Sequence, residues 1–544
     1  MTWLLHSLLF CCALLLQIPA QAASTEMPLS LEAILARSDA MPSPSPFAHP
    51  QALRAFYRAC HYQPVWQAPA IEALLNSLDQ LEADGLNPDN PRYHRTELRA
   101  LLGKDTLTPN EELLLSDAFL AAAYDLFYGV AFASDANTVF YESGKKSLDL
   151  GKTLQTALEQ DNITSTLAGL PPKHGYYQNL KKALQRYRAY AQETSWHHNP
   201  EDYADRNLVR ERLLITGDYP SDCLQQQLRL DNPPSDWCWD ANSAEKDAML
   251  EPSIRRFQQR HGLLVDGIVG KRTRNALAQS AVELVERIEL NLERWRWYRT
   301  LPERYLLVNI PDYTLTLMQD ASPLNMKVVV GKQKRPTPLM EDQMAYLVLN
   351  PYWRIPKTIL LEDVLPKLKS GNPYLQRNQI SVFSSGDTKE QQPLNAESIN
   401  WQAIDGNQIL NYVFRQEPGE KNPLGRIKFI FPNSQDIYIH DTSEQHLFKN
   451  STLMASSGCI RAENALQLAT QLLAFENPEM DSVQLQEMIQ SGEQQIIWLE
   501  HKVPVLVTYQ TAWADDSGQL FLRPDIYELD DKLLSAIEKL EIRP

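Results

Sequence analysis

At Tyr305 the apolar residues of this chain change rhythm, and that change limits what the chain can fold into more than any other feature. From there on, Tyr305-Leu306-Leu307-Val308-Asn309-Ile310, Thr314-Leu315-Thr316-Leu317 and Lys327-Val328-Val329-Val330 are apolar, largely β-branched runs separated by Pro, Asp and Ser turns, the pattern of strands. Upstream, Ile71, Leu74, Leu75 and Leu78 recur three and four residues apart, as do Leu113, Leu114, Ala118, Ala121 and Leu126 more loosely, which is helical spacing. One core cannot serve 544 residues, so three or more structural units are expected in a multidomain α+β protein.

The helical rhythm predicts a mainly α region over 51–204, whose aromatic residues belong to its core, followed by a smaller module over 205–280. In that module Ile254 to Leu263 reads as a helix stopped by Gly262, because glycine accepts the left-handed turn that ends helices. Gly267 and Gly270 then allow tight turns before a short helix ending near Leu277. Residues 281–300 supply a linking helix that ends in Trp295-Arg296-Trp297, and 301–544 form the β-rich domain. Between 353 and 415 the strand rhythm gives way to a polar excursion, helical at 357–368 and rich in Ser, Gly, Asp and Gln after Ser381. An excursion of that length is expected to be a lid or binding loop. Trp353, with Tyr352 and Arg354, stands at its root.

At the N-terminus, residues 4–16 form an apolar run followed by Ala20-Gln21-Ala22, a secretory pattern over 1–22. The run is shorter than the ~20 residues a spanning helix needs. Cleavage near Ala22 is therefore expected, although Met1-Thr2-Trp3 lacks the usual basic residue, and an uncleaved anchor would be the alternative and the chain's only membrane attachment. Residues 23–50, with Pro-Ser-Pro-Ser-Pro at 42–46, read as a flexible leader. Cys11 and Cys12 would leave with the signal. Of the remaining cysteines, Cys60 reads as a small core residue, while Cys223 and Cys238 flank a proline-containing loop that an oxidising compartment would allow a disulfide to close. The formal charge of −16 excludes general nucleic-acid binding, which needs basic surface.

Chemistry concentrates in two segments, Ile439-His440-Asp441-Thr442 and Ser456-Ser457-Gly458-Cys459-Ile460-Arg461. A thiol with a pKa of about 8.5 is mostly protonated at neutral pH and attacks only as thiolate; a nearby imidazole removes that limit. Residues 436–439 read as a short strand leading into His440, and Cys459 as part of a small-residue turn just before a helix at 462–473, near its positive end. The Ser-Ser-Gly turn is expected to aim the N–H groups of Ser457 and Gly458 at an oxyanion. Arg461 suits bidentate grip of a carboxylate. Tyr438, two residues before His440, shares its strand face, whereas Asp441 points to the other side and reads as structural. Ser456 and Trp353 complete the expected substrate contacts.

These residues resemble the signature of the L,D-transpeptidases, cysteine enzymes of the YkuD-type fold that cross-link peptidoglycan: a histidine, a gap of somewhat under twenty residues, then Ser/Thr-x-Gly-Cys-hydrophobic-Arg or Asn. Ser457 stands where many members carry a second histidine, as is usual in the large, lidded periplasmic (YcbB-like) subfamily. Val348 to Pro356, Asn422 to Phe429 and Phe521 to Tyr527 resemble that subfamily as well, so the likeness runs from about residue 50 to the C-terminus. The module at 254–277 resembles peptidoglycan-binding domain 1, a three-helix bundle.

The resemblance implies a β-sandwich catalytic domain with a capping insertion over 353–415, a helical scaffold, and a location in the periplasm of a Gram-negative bacterium. It implies Cys459 as nucleophile and His440 as general base and acid, without metal or cofactor. The donor would be a tetrapeptide stem cleaved between meso-diaminopimelate and D-Ala, and the acceptor a diaminopimelate side-chain amine. Other cell-wall synthesis enzymes are the further expected partners.

Three rival readings remain. An L,D-carboxypeptidase would use the same residues and give the acyl group to water. A catalytically silent wall-binding scaffold would need only the bundle module. A zinc peptidase would need ligands beyond His440 and His446 in a recognisable spacing.

Overall fold

The computed structural model describes residues 26–40, 47–132, 140–142, 147–192, 197–219, 244–319, 323–384, 392–477 and 479–541. The signal segment, the Pro-Ser-Pro-Ser-Pro run and the Cys223–Cys238 pair lie outside the described residues. Among those described, no helix is long and apolar enough to cross a membrane.

The helical region is built around Pro109–Tyr128, which starts at a capping box in which Thr108 and Glu111 satisfy each other's backbone N–H groups. It is buried almost all round, so its polar residues are held by neighbours. Ser116 Oγ accepts from Trp66 Nε1 at 2.8 Å, and Asp125 accepts from the Tyr93 hydroxyl at 2.8 Å. Burial pushes the Glu112 carboxyl up to about 7.

The leader departs from its expected flexibility. Residues Glu26–Ala40 form a helix that buries Leu31 and Leu35 completely or nearly so in the core of the helical region. Proline-rich composition at 42–46 governs those residues only; two leucines four apart are one helical face, and burying them stabilises the helix by about 1.5–3 kcal/mol each.

The helix Ala281–Trp297, capped by Ser280 and Glu283, is more than a linker. Its last turns are buried between the helical and β-rich regions. Trp297 Nε1 donates to Ala131 O at 3.1 Å on one side, while the Tyr298 hydroxyl donates to Val507 O at 2.7 Å on the other. Arg296 pairs with buried Glu293 at 2.6 Å, and Glu293 also accepts from Ala131 N at 2.8 Å. Arg296 also donates to the Asp84 carbonyl and to the Tyr177 hydroxyl, and a buried pair held by further hydrogen bonds fixes geometry even where it adds little net stability.

In the smaller module the helices Arg206–Ile215, Ala244–Arg260 and Lys271–Leu277 enclose their own core of Leu213, Leu250, Ile254, Phe257 and Leu277. Gly262 takes a φ of 61°, the left-handed stop expected there.

The strands, in chain order, are β1 Phe140–Glu142, β2 Tyr305–Asn309, β3 Thr314–Met318, β4 Leu324–Gly331, β5 Leu339–Leu349, β6 Trp353–Arg354, β7 Ile380–Ser384, β8 Tyr412–Gln416, β9 Ile427–Ile430, β10 Ile439–His440, β11 Met454–Ser456, β12 Ile460–Ala462, β13 Gln495–Thr508, β14 Ala512–Ala514 and β15 Leu520–Leu522. The main sheet runs β1-β5-β13-β2-β3-β4-β12-β10-β9, and β9 pairs back onto β5. The layers expected of a sandwich are thus parts of one sheet closed on itself, which leaves few free edges. β1 comes from the helical half of the chain and pairs in parallel with the start of β5.

The excursion after Trp353 is a compact subdomain. It is helical over Lys357–Ile359 and Leu365–Lys369, with a π-helical turn between them. It also holds a sheet the sequence rhythm did not announce, β6-β8-β7. Trp353, Leu360, Val364, Leu368, Val382, Ile409 and Phe414 form its core, against which Tyr438 packs.

Candidate active site

β10 and β12 run parallel, with Ile439 opposite Ile460 and His440 opposite Arg461, and Ile460 N donates to Tyr438 O at 3.1 Å. Because side chains alternate along strands, this register sets Tyr438, His440, Cys459 and Arg461 on one face. Tyr438 and His440 accordingly lie with ring centroids 5.6 Å apart. The strand before His440 is shorter than the sequence suggests: Asp436 takes a φ of 54°, and only Ile439–His440 pair in the ladder.

The face looks into a cleft of about 1190 Å³. Its floor includes Lys428, His440, Cys459 and Arg461; its other wall is the root of the capping subdomain, from Tyr352 to Ile359. Trp353 lines the cleft while being buried in the capping core, so it serves both positions.

Ser456 is 2 % exposed and ties the turn together. Its Oγ donates to Cys459 O at 2.6 Å and accepts from Gly458 N at 3.1 Å. This corrects one expectation: the Gly458 N–H is used inside the turn and does not face an oxyanion. Nor does Ser456 present its hydroxyl to a ligand. Gly458 takes a φ of 116°, which only glycine adopts without strain. Its carbonyl accepts from Thr337 Oγ1 at 2.8 Å, and Tyr527 donates to Gly331 O at 2.6 Å to brace the same loop.

Ser456→Ala removes both bonds at a buried position. We expect a loss of about 1–3 kcal/mol in unfolding free energy, measured by denaturant titration, together with slower turnover as the turn loosens.

The helix expected right after Cys459 is displaced. Strand β12 intervenes, and the helix runs over Ala465–Ala474 with Asn464 as its N-cap. The turn holding Cys459 is therefore not the turn that opens the helix, and the helix macrodipole, which fades beyond the first turn, does not act on the thiol.

His440 is 4 % exposed. Its Nδ1 lies 2.5 Å from the backbone carbonyl of Asp441. A carbonyl only accepts, so Nδ1 carries the proton and Nε2 is the basic nitrogen. The Asp441 carboxylate is turned away, accepting from Arg426 N at 2.8 Å. Burial, aided by the Arg461 charge, pushes the imidazole down to about 3.

Burial pushes the Cys459 thiol up, opposed by a hydrogen bond from the Tyr438 N–H, the Lys428 charge, the Tyr438 hydroxyl and the Arg461 charge. In this state Sγ donates to Asp436 O at 3.7 Å rather than bonding to His440. The resting pair is accordingly a neutral thiol beside a neutral imidazole.

Arg461 lines the cleft but is ion-paired with Glu444. Three neighbours went unseen in the sequence. Lys428 sits opposite His440 in the β9–β10 register, its Nζ 3.6 Å from the centre of the Tyr438 ring. Thr337 holds the turn as described. Arg335 joins Ser457 Oγ, at 3.0 Å, to Glu362 and Asp363 of the capping subdomain. Only the closed sheet and the cap bring these together, so no local sequence signal could have shown it.

The fold and site define a multidomain protein whose β-rich domain carries a capped Cys–His cleft. Residues 303–492 match the L,D-transpeptidase catalytic domain, residues 239–277 the "Putative peptidoglycan binding domain", and residues 51–184 the scaffold domain. Over 303–492 the chain is thus similar to the YkuD-type L,D-transpeptidase catalytic domains, and the three matched domains together are consistent with the architecture of the large lidded subfamily. A Haemophilus influenzae protein named "Putative L,D-transpeptidase" is 31 % identical over 253 residues, 46 % of this chain and 49 % of that relative. The chain spans about half the length of the curated relative it matches.

Proposed function

We propose that the protein is an L,D-transpeptidase that cross-links peptidoglycan in the periplasm of a Gram-negative bacterium through a Cys459 acyl-enzyme. The observation that carries the reading is the common face of Cys459, with its thiol near Tyr438, and His440, whose proton is parked on Nδ1. The match to the catalytic domain and to the peptidoglycan-binding module supports the substrate class.

Cys459 Sγ attacks the carbonyl of diaminopimelate in a tetrapeptide stem as His440 Nε2 takes the thiol proton. The tetrahedral oxyanion is held by the N–H groups of Cys459 and Ser457, the Gly458 N–H being spoken for. His440 then gives its proton to the departing D-Ala nitrogen. An amine of a second stem attacks the thioester, His440 takes a proton from it, and the sulfur leaves and recovers that proton. Electrons and protons balance without a cofactor. Arg461 reaches a stem carboxylate by exchanging Glu444 for it, and Trp353 borders the peptide channel. The cap excludes water and seats the acceptor, which favours transfer over hydrolysis.

Incubating the protein with disaccharide-tetrapeptide and analysing products by mass spectrometry tests this. We expect dimers joined between diaminopimelate residues, in yields unchanged by EDTA. Tripeptide and free D-Ala as sole products would make it a carboxypeptidase, and loss of activity with EDTA would favour a metal peptidase.

A further inference from the structure

The register places more on the catalytic face than the site itself. One row of facing residues runs Ile496, Val348, Lys428, His440, Arg461 across β13, β5, β9, β10 and β12. The row beside it runs Trp498, Tyr346, Ile430 across β13, β5 and β9. Tyr346 and Ile430 line the cleft. Trp498 continues the same row beyond it, its ring 4.5 Å from that of Tyr346, and is 65 % exposed, with Ile496 beside it 53 % exposed. Single apolar residues on a surface are ordinary, but an aromatic strip continuous with a substrate cleft marks a binding surface.

We propose that Trp498, backed by Tyr346, is a platform for the pyranose ring of the sugar that bears the donor stem. The proposal rests on the function argued above. The apolar faces of a pyranose present C–H groups that pack on an aromatic face, and the exposed indole offers such a face without needing a hydrogen-bond partner.

The span agrees. Trp498 on β13 stands three strands away from His440 on β10, or ~14 Å at ~4.8 Å per strand. In a tetrapeptide cleaved after its third residue, three residues separate the scissile carbonyl from the sugar. Extended at ~3.3–3.6 Å per residue they cover ~10–11 Å, and the lactyl link and side-chain reach cover the rest. A stem laid across the strands from Cys459 therefore delivers its sugar to Trp498.

The test compares kcat/KM for disaccharide-tetrapeptide and for free tetrapeptide in the full chain, as wild type, Trp498→Ala and Trp498→Tyr. Trp498→Ala should lower the value for the disaccharide substrate about tenfold and leave the free peptide unchanged, with Trp498→Tyr keeping most of the activity. An equal loss on both substrates, or no loss on either, overturns the platform.

If the wild type processes neither substrate, the proposed function fails instead, and binding decides the platform. Tryptophan fluorescence titrated with the peptide-free disaccharide should then saturate in the wild type and not in Trp498→Phe. The same titration curve in both proteins would overturn it.

Discussion

Cys459→Ala should abolish cross-link formation, with a loss of at least about 1000-fold. No other group on the catalytic face can form the thioester: its neighbours Tyr438, Lys428 and His440 are a phenol held well above its usual pKa by burial, an ammonium and a base. Removing the nucleophile leaves only binding and oxyanion stabilisation, which together give modest residual catalysis. The fold should be unaffected, because Sγ makes only weak hydrogen bonds, a long one to Asp436 O and those from Tyr438. The measurement is dimer formation by mass spectrometry alongside a thermal melt. A variant that melts normally and still cross-links would remove Cys459 from the mechanism.

His440→Gln should cost about 100–10,000-fold in kcat/KM, the range of general acid–base catalysis, and should alter the pH profile in a particular way. Burial and Arg461 hold the imidazole down to about 3, so His440 is neutral and able to accept a proton at every pH above that. Its ionisation therefore leaves no acid limb near 6.5. The thiol, raised by burial, is protonated at neutral pH and ionises only above its ordinary range. Alkylation of Cys459 by iodoacetamide, followed by intact mass, should thus rise with pH through and beyond 8.5, with no plateau between 5 and 8. A plateau there would mean a resting thiolate–imidazolium pair and would contradict the neutral pair drawn from the geometry.

The linear chain announced the candidate pair that the structure sets on one face, and little of what surrounds it. Cys459 and His440 were legible because turn composition and alternation are local, and alternation also put Asp441 on the far side. The bond from the Gly458 N–H to Ser456 Oγ was not legible, since a hydroxyl within the same turn leaves no mark in the spacing. Lys428, Thr337 and Arg335 arrive by pairing between distant strands and by docking of the cap, which no spacing encodes. The cap's own sheet was missed because β6 has two residues and β8 lies some 60 positions further on (412 − 353 = 59). The helix Glu26–Ala40 is obscured in the sequence by the five proline-rich residues that follow at 42–46, against which the Leu31–Leu35 face is a weak signal. The module at 254–277 was legible, since Gly262 and Gly267 take the left-handed turns where they stand.

The most direct measurement is the intact mass of the protein sampled during turnover of disaccharide-tetrapeptide. A thioester on Cys459 predicts an added mass equal to the substrate less D-Ala, located on the peptide containing Cys459 and absent in Cys459→Ala. Product formation with no adduct, or an adduct of that mass persisting in Cys459→Ala, would contradict the account.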